Sequence, residues 1–191
     1  MRKNIILCGV GGQGTVLASR LISAAAMARG IPVLSAETIG MAQRGGSVFS
    51  HLRMGEGLYS PMIARGEADL VIGFEPGEAV RMLPFLKPGG SMIVSDRAVM
   101  PVTASLSGSD YRASDMLDFL SAHVSSLRII PAEKALAAVG SPKVLNLILL
   151  GAAVRNGFLG LTEADLREAI RTRIPEKFHA LNLKALSWAN S

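Results

Sequence analysis

Gly9, Gly11 and Gly14 stand at G-x-G-x-x-G spacing in Cys8-Gly9-Val10-Gly11-Gly12-Gln13-Gly14. The stretch follows an apolar run of strand character and precedes a helical pattern through Thr15, Val16, Leu17, Ala18, Arg20, Leu21 and Ile22. Each glycine position carries a demand: a turn few residues can make, close approach of a ligand, and tight packing of helix on strand. Free N–H groups and the positive dipole end of a helix starting there suit a phosphate or another anion. The same spacing also serves a sharp βα turn that binds nothing. Glu37, ending an expected second strand Pro32–Ala36, stands where a dinucleotide fold holds an acid for a ribose hydroxyl. Thr38 to Gly46 has neither helical nor strand period and sets Arg44 among small residues. It reads as a cradle for phosphate or carboxylate, or as an ordinary glycine turn with a solvated Arg. The candidate anion-binding residues are Gly9, Gly11, Gly12, Gln13, Gly14, Gln43, Arg44, Gly45 and Gly46. No residue is assigned as catalytic or metal-ligating.

The remaining reactive side chains point away from chemistry of their own. Cys8 is the only cysteine, so the chain can build no disulfide framework and no cysteine-held zinc or iron–sulfur centre. It reads as a small core residue of the first strand in a protein of a reducing, cytoplasmic compartment. His51, His123 and His179 lie far apart and lack a ligand spacing. Asn146 is the one polar residue in the apolar run Val144–Val154. It either ties a neighbouring loop inside the core or touches a ligand.

The elements that would position these residues alternate between strand and helix. Ser47–Met54 alternates as a strand, and Gly55-Glu56-Gly57 turns it toward Leu58-Tyr59 as an antiparallel hairpin. Ala68–Phe74 is a buried strand, Glu75-Pro76 opens a helix Gly77–Leu86, and Lys87-Pro88-Gly89-Gly90 turns into a strand Ser91–Asp96. A helix near Asp115–His123, a strand near Leu127–Ile130, and helices over Pro131–Val139 and Val144–Asn156 follow. Thr162 and Asp165 form a capping-box pair at the head of another helix. A last amphipathic helix spans about Pro175 to Trp188, with Phe178, Leu181, Leu186 and Trp188 packing inward. The pattern predicts one α/β domain over residues 1–191: a Rossmann-like, mostly parallel sheet with helices on both faces and antiparallel hairpin strands after the second strand.

Composition narrows the partners. The 191 residues are 49% hydrophobic, which fits either a large α/β core or a surface covered by another subunit. Twenty Lys and Arg against fifteen Asp and Glu give +5, but the basic residues are scattered and aromatics are only 5%. That argues against nucleic acid and for an anionic cofactor or an acidic partner. Val144–Val154 is too short for a membrane span and reads as a buried helix.

Gly9-Val10-Gly11-Gly12-Gln13-Gly14, together with Gly40-Met41-Ala42-Gln43-Arg44-Gly45-Gly46-Ser47-Val48, His51 and Arg53, resembles the gamma subunit or domain of 2-oxoacid:ferredoxin oxidoreductases. Ser60-Pro61-Met62-Ile63, Gly73-Phe74-Glu75-Pro76, Asn146 through Gly151, and Pro175-Glu176-Lys177 with Asn182 extend the likeness over nearly the whole chain. The Met-Ala-Gln-Arg-Gly-Gly form resembles most closely the indolepyruvate branch of that family. The resemblance implies a subunit of an enzyme that decarboxylates a 2-oxoacid oxidatively, forms an acyl-CoA and passes electrons to ferredoxin. It also implies that a larger alpha-type partner carries thiamine diphosphate and the iron–sulfur clusters, while this chain holds no cofactor firmly and contacts coenzyme A at the glycine loop and Arg44. Two other readings stand beside it: a stand-alone NAD(P)- or FAD-dependent enzyme, and a non-catalytic nucleotide-binding interaction module.

Overall fold

The computed structural model describes residues 2–38, 46–100 and 111–188. Its strands are β1 (Lys3–Val10), β2 (Val33–Glu37), β3 (Ser47–Met54), β4 (Ala68–Gly73), β5 (Leu86–Ser95) and β6 (Ser126–Ile130). Its helices are α1 (Thr15–Ala28), α2 (Pro76–Met82), α3 (Ala113–His123), α4 (Ala132–Val139), α5 (Leu145–Arg155), α6 (Glu163–Arg173) and α7 (His179–Leu186). The six strands form one sheet in the order β2-β3-β1-β4-β5-β6. The pairs β1/β4, β4/β5 and β5/β6 are parallel, whereas β3 runs antiparallel to both of its neighbours.

β1 reads as a continuous apolar run because both of its faces are covered. Ile5 and Leu7 join Leu70, Ile72 and Ile93 beneath α1 and α4–α7, while Ile6 and Cys8 join Val71, Met92 and Val94 beneath α2 and α3. Helix α5 is buried almost all round, so its sequence shows no polar face. Among the described residues no helix is long and apolar enough to cross a membrane.

The antiparallel element is β3, but its partners differ from the expected hairpin. Leu58-Tyr59 is not a strand, and β3 pairs instead with β2 (Glu37 opposite Ser50) and with β1 (Leu7 opposite Ser50). The segment after the Gly55–Gly57 turn is held from below. Buried Arg53 donates to Asn4 Oδ1 (3.0 Å) and to the carbonyls of Ser60 and Met62 (3.1 and 3.2 Å), and His51 Nδ1 accepts from Ile63 N–H (3.0 Å).

Other boundaries move for local reasons. Pro84 cannot continue a helical ladder, so α2 ends at Met82 and a 3-10 turn, Leu83–Phe85, follows. The Lys87–Gly90 stretch lies inside β5, where five steps from Leu86 to Ser91 match two steps from Ala68 to Leu70 on β4. A second 3-10 turn, Glu176–Phe178, interrupts the last helix and rotates Phe178 outward, leaving it 45% exposed beneath Lys177 Nζ (5.1 Å). Leu186 is buried, and Leu181 and Trp188 pack on the core as expected. The capping box is formed: Thr162 Oγ1 accepts from Asp165 N–H (3.2 Å) and Asp165 Oδ2 from Thr162 N–H (2.7 Å).

Candidate functional site

The glycine loop sits at the C-terminal edge of the sheet, where β1 hands over to α1. Gly12 (φ 98°) and Gly14 (φ 86°) occupy backbone conformations that side-chain-bearing residues rarely adopt, and Gly14 is the N-cap of α1. Gly9 answers a packing demand. A Cβ there would lie 2.6 Å from Gln13 Oε1 and 2.8 Å from Phe74 Cβ. Both ends of the Gln13 amide are engaged within the fold: Oε1 accepts from Val10 N–H (2.7 Å) and Nε2 donates to the Phe74 carbonyl (3.1 Å). Gln13 therefore fastens the loop to the end of β4. Gly11 N–H donates to the Gly46 carbonyl (2.9 Å), which joins the two glycine segments singled out in the sequence. Gln43, Arg44 and Gly45 lie outside the described residues.

The third glycine makes room for another helix. A Cβ on Gly14 would stand 3.0 Å from Asn146 Nδ2, so the N-terminus of α5 abuts that of α1. Asn146 is buried, and its Oδ1 accepts from Leu147 N–H (3.0 Å). Neither N-cap residue, Gly14 or Val144, caps its helix through a side chain, and in α5 Asn146 takes up the third N–H group. These two N-termini face a cavity of 470 Å³ lined by Gly12, Gln13, Gly14, Arg97, Lys143 and Asn146, among others. Two helix ends and two cationic side chains, Lys143 and an Arg97 whose Nε lies 3.6 Å from Glu133 Oε1, put partial positive charge around this cavity. Arg97 and Lys143 were not anticipated. Their signal lay in position, since Arg97 follows the C-terminal end of β5 and Lys143 follows the Gly140-Ser141-Pro142 turn, on the sheet edge where open α/β folds bind ligands.

The structure does not bring Glu37 to this site. β3 intervenes, placing Glu37 two strand spacings, about 10 Å, from β1 and level with Leu7. A dinucleotide fold needs that acid beside the glycine strand. Glu37 lines a different cavity, between α1 and β2.

On the other face of the same edge lies an acidic cluster whose members are all engaged. Glu75 caps α2 by accepting from Glu78 N–H (2.9 Å), and it accepts a hydrogen bond from the Tyr111 hydroxyl, which itself accepts from Gly77 N–H (3.0 Å). Ser47 Oγ donates to Glu78 Oε2 (2.5 Å), and Arg81 lies 3.6 Å from Glu78 Oε1. Burial and the hydrogen bond to Glu75 push the Tyr111 phenol well above its ordinary range. Cys8 is buried, and desolvation, with Glu78 and Glu75 nearby, pushes its thiol up, which leaves it a poor nucleophile. The thiol of Cys8 thus packs, as the sequence suggested.

Comparison with known proteins places this geometry. A family model described as pyruvate ferredoxin/flavodoxin oxidoreductase matches residues 4–189. The chain is 37% identical over 186 residues to indolepyruvate oxidoreductase subunit IorB of Methanothermobacter thermautotrophicus, covering 97% of this chain and 94% of that one. Its fold is similar to that of the gamma subunit of a keto/oxoacid ferredoxin oxidoreductase from Geobacter sulfurreducens (TM-score 0.68, 22% identity, 97% and 93% of the two chains). It is also similar to part of the 2-oxoglutarate:ferredoxin oxidoreductase of Magnetococcus marinus, solved with 2-oxoglutarate, coenzyme A and succinyl-CoA bound (TM-score 0.72, 21% identity, 97% of this chain and 30% of that one).

Proposed function

We propose that this chain, which belongs to the pyruvate ferredoxin/flavodoxin oxidoreductase family, is the small subunit of an indolepyruvate-type 2-oxoacid:ferredoxin oxidoreductase and performs no bond-making chemistry alone. Residues 1–191 act as one gamma-type domain. The oxidative decarboxylation and the passage of electrons to ferredoxin belong to a larger alpha-type subunit that carries thiamine diphosphate and iron–sulfur clusters. The donor set of this chain supports that division. Cys8 is its sole cysteine, and no three His, Cys, Asp or Glu side chains gather as a metal site among the described residues.

What this chain adds is a place for the anionic part of coenzyme A. The observation that carries this reading is the convergence of two helix N-termini, α1 at Gly14 and α5 at Val144, neither capped by its N-cap residue, on a cavity flanked by Lys143 and by Arg97, which also lies 3.6 Å from Glu133. In that reading Gly12 keeps the backbone open for close approach, Gly14 lets α5 come up beside it, and the helix N–H groups with Lys143 and Arg97 take phosphate oxygens. Gly9 and Gln13 hold the loop's shape. Arg44 belongs to the same reading through the Gly11–Gly46 tie of its loop. The dinucleotide alternative loses its acid, because β3 separates Glu37 from the glycine strand.

The test is steady-state kinetics of the oxygen-free assembly with Lys143→Ala. A half-exposed charge-assisted contact contributes about 1 kcal/mol, so KM for coenzyme A is expected to rise roughly 5-fold with kcat and the 2-oxoacid KM unchanged. Arg44→Ala is expected to act the same way. Normal KM values for coenzyme A in both variants would overturn the assignment while leaving the subunit reading standing.

A further inference from the structure

The sheet ends at β2, and among the described residues the α1-side face of that edge strand is open. β2 and β3 are antiparallel neighbours joined by the nine residues 38–46, so their connection needs no crossover helix of the kind that covers a strand between parallel neighbours. Between α1, β2 and the end of α6 lies a cavity of 780 Å³, the volume of about two turns of a helix 10 Å across. Along α1 it is lined by the apolar side chains of Leu17, Ala24 and Met27, interleaved with Ser19, Arg20 and Ser23, and Met27 is 61% exposed. Its charged lining is Arg20, Arg173 and Glu37. Neither Arg20 nor Arg173 makes an ion pair with any described residue. Two unpaired guanidiniums against one carboxylate, in a chain of net charge +5, make the groove a receptor for negative charge.

We propose that an amphipathic helix of the larger subunit, carrying acidic residues along one side, docks in this groove and completes the helical layer over β2. Its apolar side packs on Leu17, Ala24 and Met27, and its carboxylates reach Arg20 and Arg173. A helix suits the place because helices pack side by side at 8–10 Å on a sheet face, and α1 already supplies the neighbouring ridge. The inference rests on the subunit reading above and uses none of the glycine-loop residues.

The test measures the affinity of the full chain for the purified larger subunit at low and high salt, with wild type and Arg20→Glu/Arg173→Glu compared. Both arginines are exposed and make no ion pair among the described residues, so the double variant is expected to melt with the wild type. Its Kd at low salt is expected to rise at least 10-fold, with the gap narrowing as salt screens the pairs. A photo-reactive benzoylphenylalanine at position 27 is expected to cross-link to a helical peptide of the larger subunit bearing Asp or Glu at i, i+3 or i, i+4 spacing. Equal Kd values for both proteins, or a cross-link from position 27 to residues 39–45 of this chain or to a second copy, would overturn the docking proposal and leave the subunit reading intact. Failure of the wild type to bind the larger subunit would sink both.

Discussion

Replacing Gly9 by alanine separates packing from ligand contact in the glycine loop. The φ of Gly9 is not positive, so alanine meets no backbone penalty there, and the whole effect comes from where the new methyl lands. It would lie 2.6 Å from Gln13 Oε1 and 2.8 Å from Phe74 Cβ. The first neighbour is the end of a flexible side chain, yet moving it breaks the acceptor of the buried Val10 N–H (2.7 Å). The second belongs to a fully buried side chain one bond from the backbone, and Phe74 N–H is itself bonded to the Cys8 carbonyl (2.8 Å), so it yields little. Overpacking costs about 1–3 kcal/mol and a buried N–H left unpaired about 1–3 kcal/mol, which together suggest a loss of about 3 kcal/mol. For a chain of this length that lowers Tm by about 6–12 °C in a circular-dichroism melt. Gly12→Ala is the internal control. Its Cβ meets nothing within 4 Å, so only the strain of φ 98° remains, about 1–2 kcal/mol. A Gly9→Ala protein that melts with the wild type but loses ligand affinity would refute the packing account and return Gly9 to the binding site.

Three further outcomes follow from single contacts. His51 is buried between Phe49 and Phe85, and burial lowers its pKa; as neutral imidazole it accepts from Ile63 N–H (3.0 Å). The unfolded chain therefore binds a proton more readily, so the His51 contribution is full above about pH 6.5 and is lost as pH falls toward the folded value. Urea titrations should show stability declining on acidification across that window, with the decline flattened in His51→Asn, which keeps an acceptor but does not titrate. Cys8 is fully buried with its thiol pushed up, so labelling by a disulfide reagent at pH 8 should proceed only at the rate of unfolding; fast labelling of native protein would contradict the burial. Thr162→Ala removes the cap that accepts from Asp165 N–H and should lower stability by about 1 kcal/mol, read as about 2–4 °C in Tm.

How much of the fold was legible depended on whether the signal was local. Helices α1, α3, α4, α5 and α6 could be read because their apolar spacing and their end signals lie in one stretch of chain, as with Thr162 and Asp165. The strand character of Ser47–Met54 was equally plain, and so was its antiparallel tendency. Its partner was not. The Gly55-Glu56-Gly57 turn pointed to Leu58-Tyr59, whereas the pairing is decided by burial of Leu52 and Met54 beneath α1, which requires a place between β1 and β2. A turn signal describes four or five residues, while a strand's seat in a sheet depends on surfaces fifty residues away. Phe178 failed for the opposite reason: one 3-10 turn changes the residues per turn locally, and the helical phase assumed from Pro175 onward no longer holds.

The candidate site divides along the same line. The glycine motif predicted a tight strand-to-helix turn, and Gly12 and Gly14 meet the backbone condition that makes such a motif useful. Yet Gly9 and Gln13 are used up by contacts with Phe74 and Val10, so half of a binding fingerprint is explained by packing alone. The positive charge that the anion proposal needs comes from elsewhere, from Arg97 and Lys143 and from the head of α5, whose Asn146 stands in contact with Gly14. Asn146 was the one polar residue in the apolar run Val144–Val154, read either as a tie to a neighbouring loop or as a ligand contact, and its Oδ1 accepts from Leu147 N–H of its own helix. In the fold the same amide lies against the glycine loop and lines the cavity, so the residue that packs α5 on α1 also aims two helix dipoles at one point. Glu37 shows the converse. Its spacing from the glycines fits a dinucleotide fold, but one inserted antiparallel strand moves it out of reach, and the same insertion leaves β2 at the edge of the sheet, with Arg20 and Arg173 beside it making no ion pair among the described residues. A single topological change thus parts Glu37 from the glycine strand and, in the docking proposal, supplies the surface that another chain would cover.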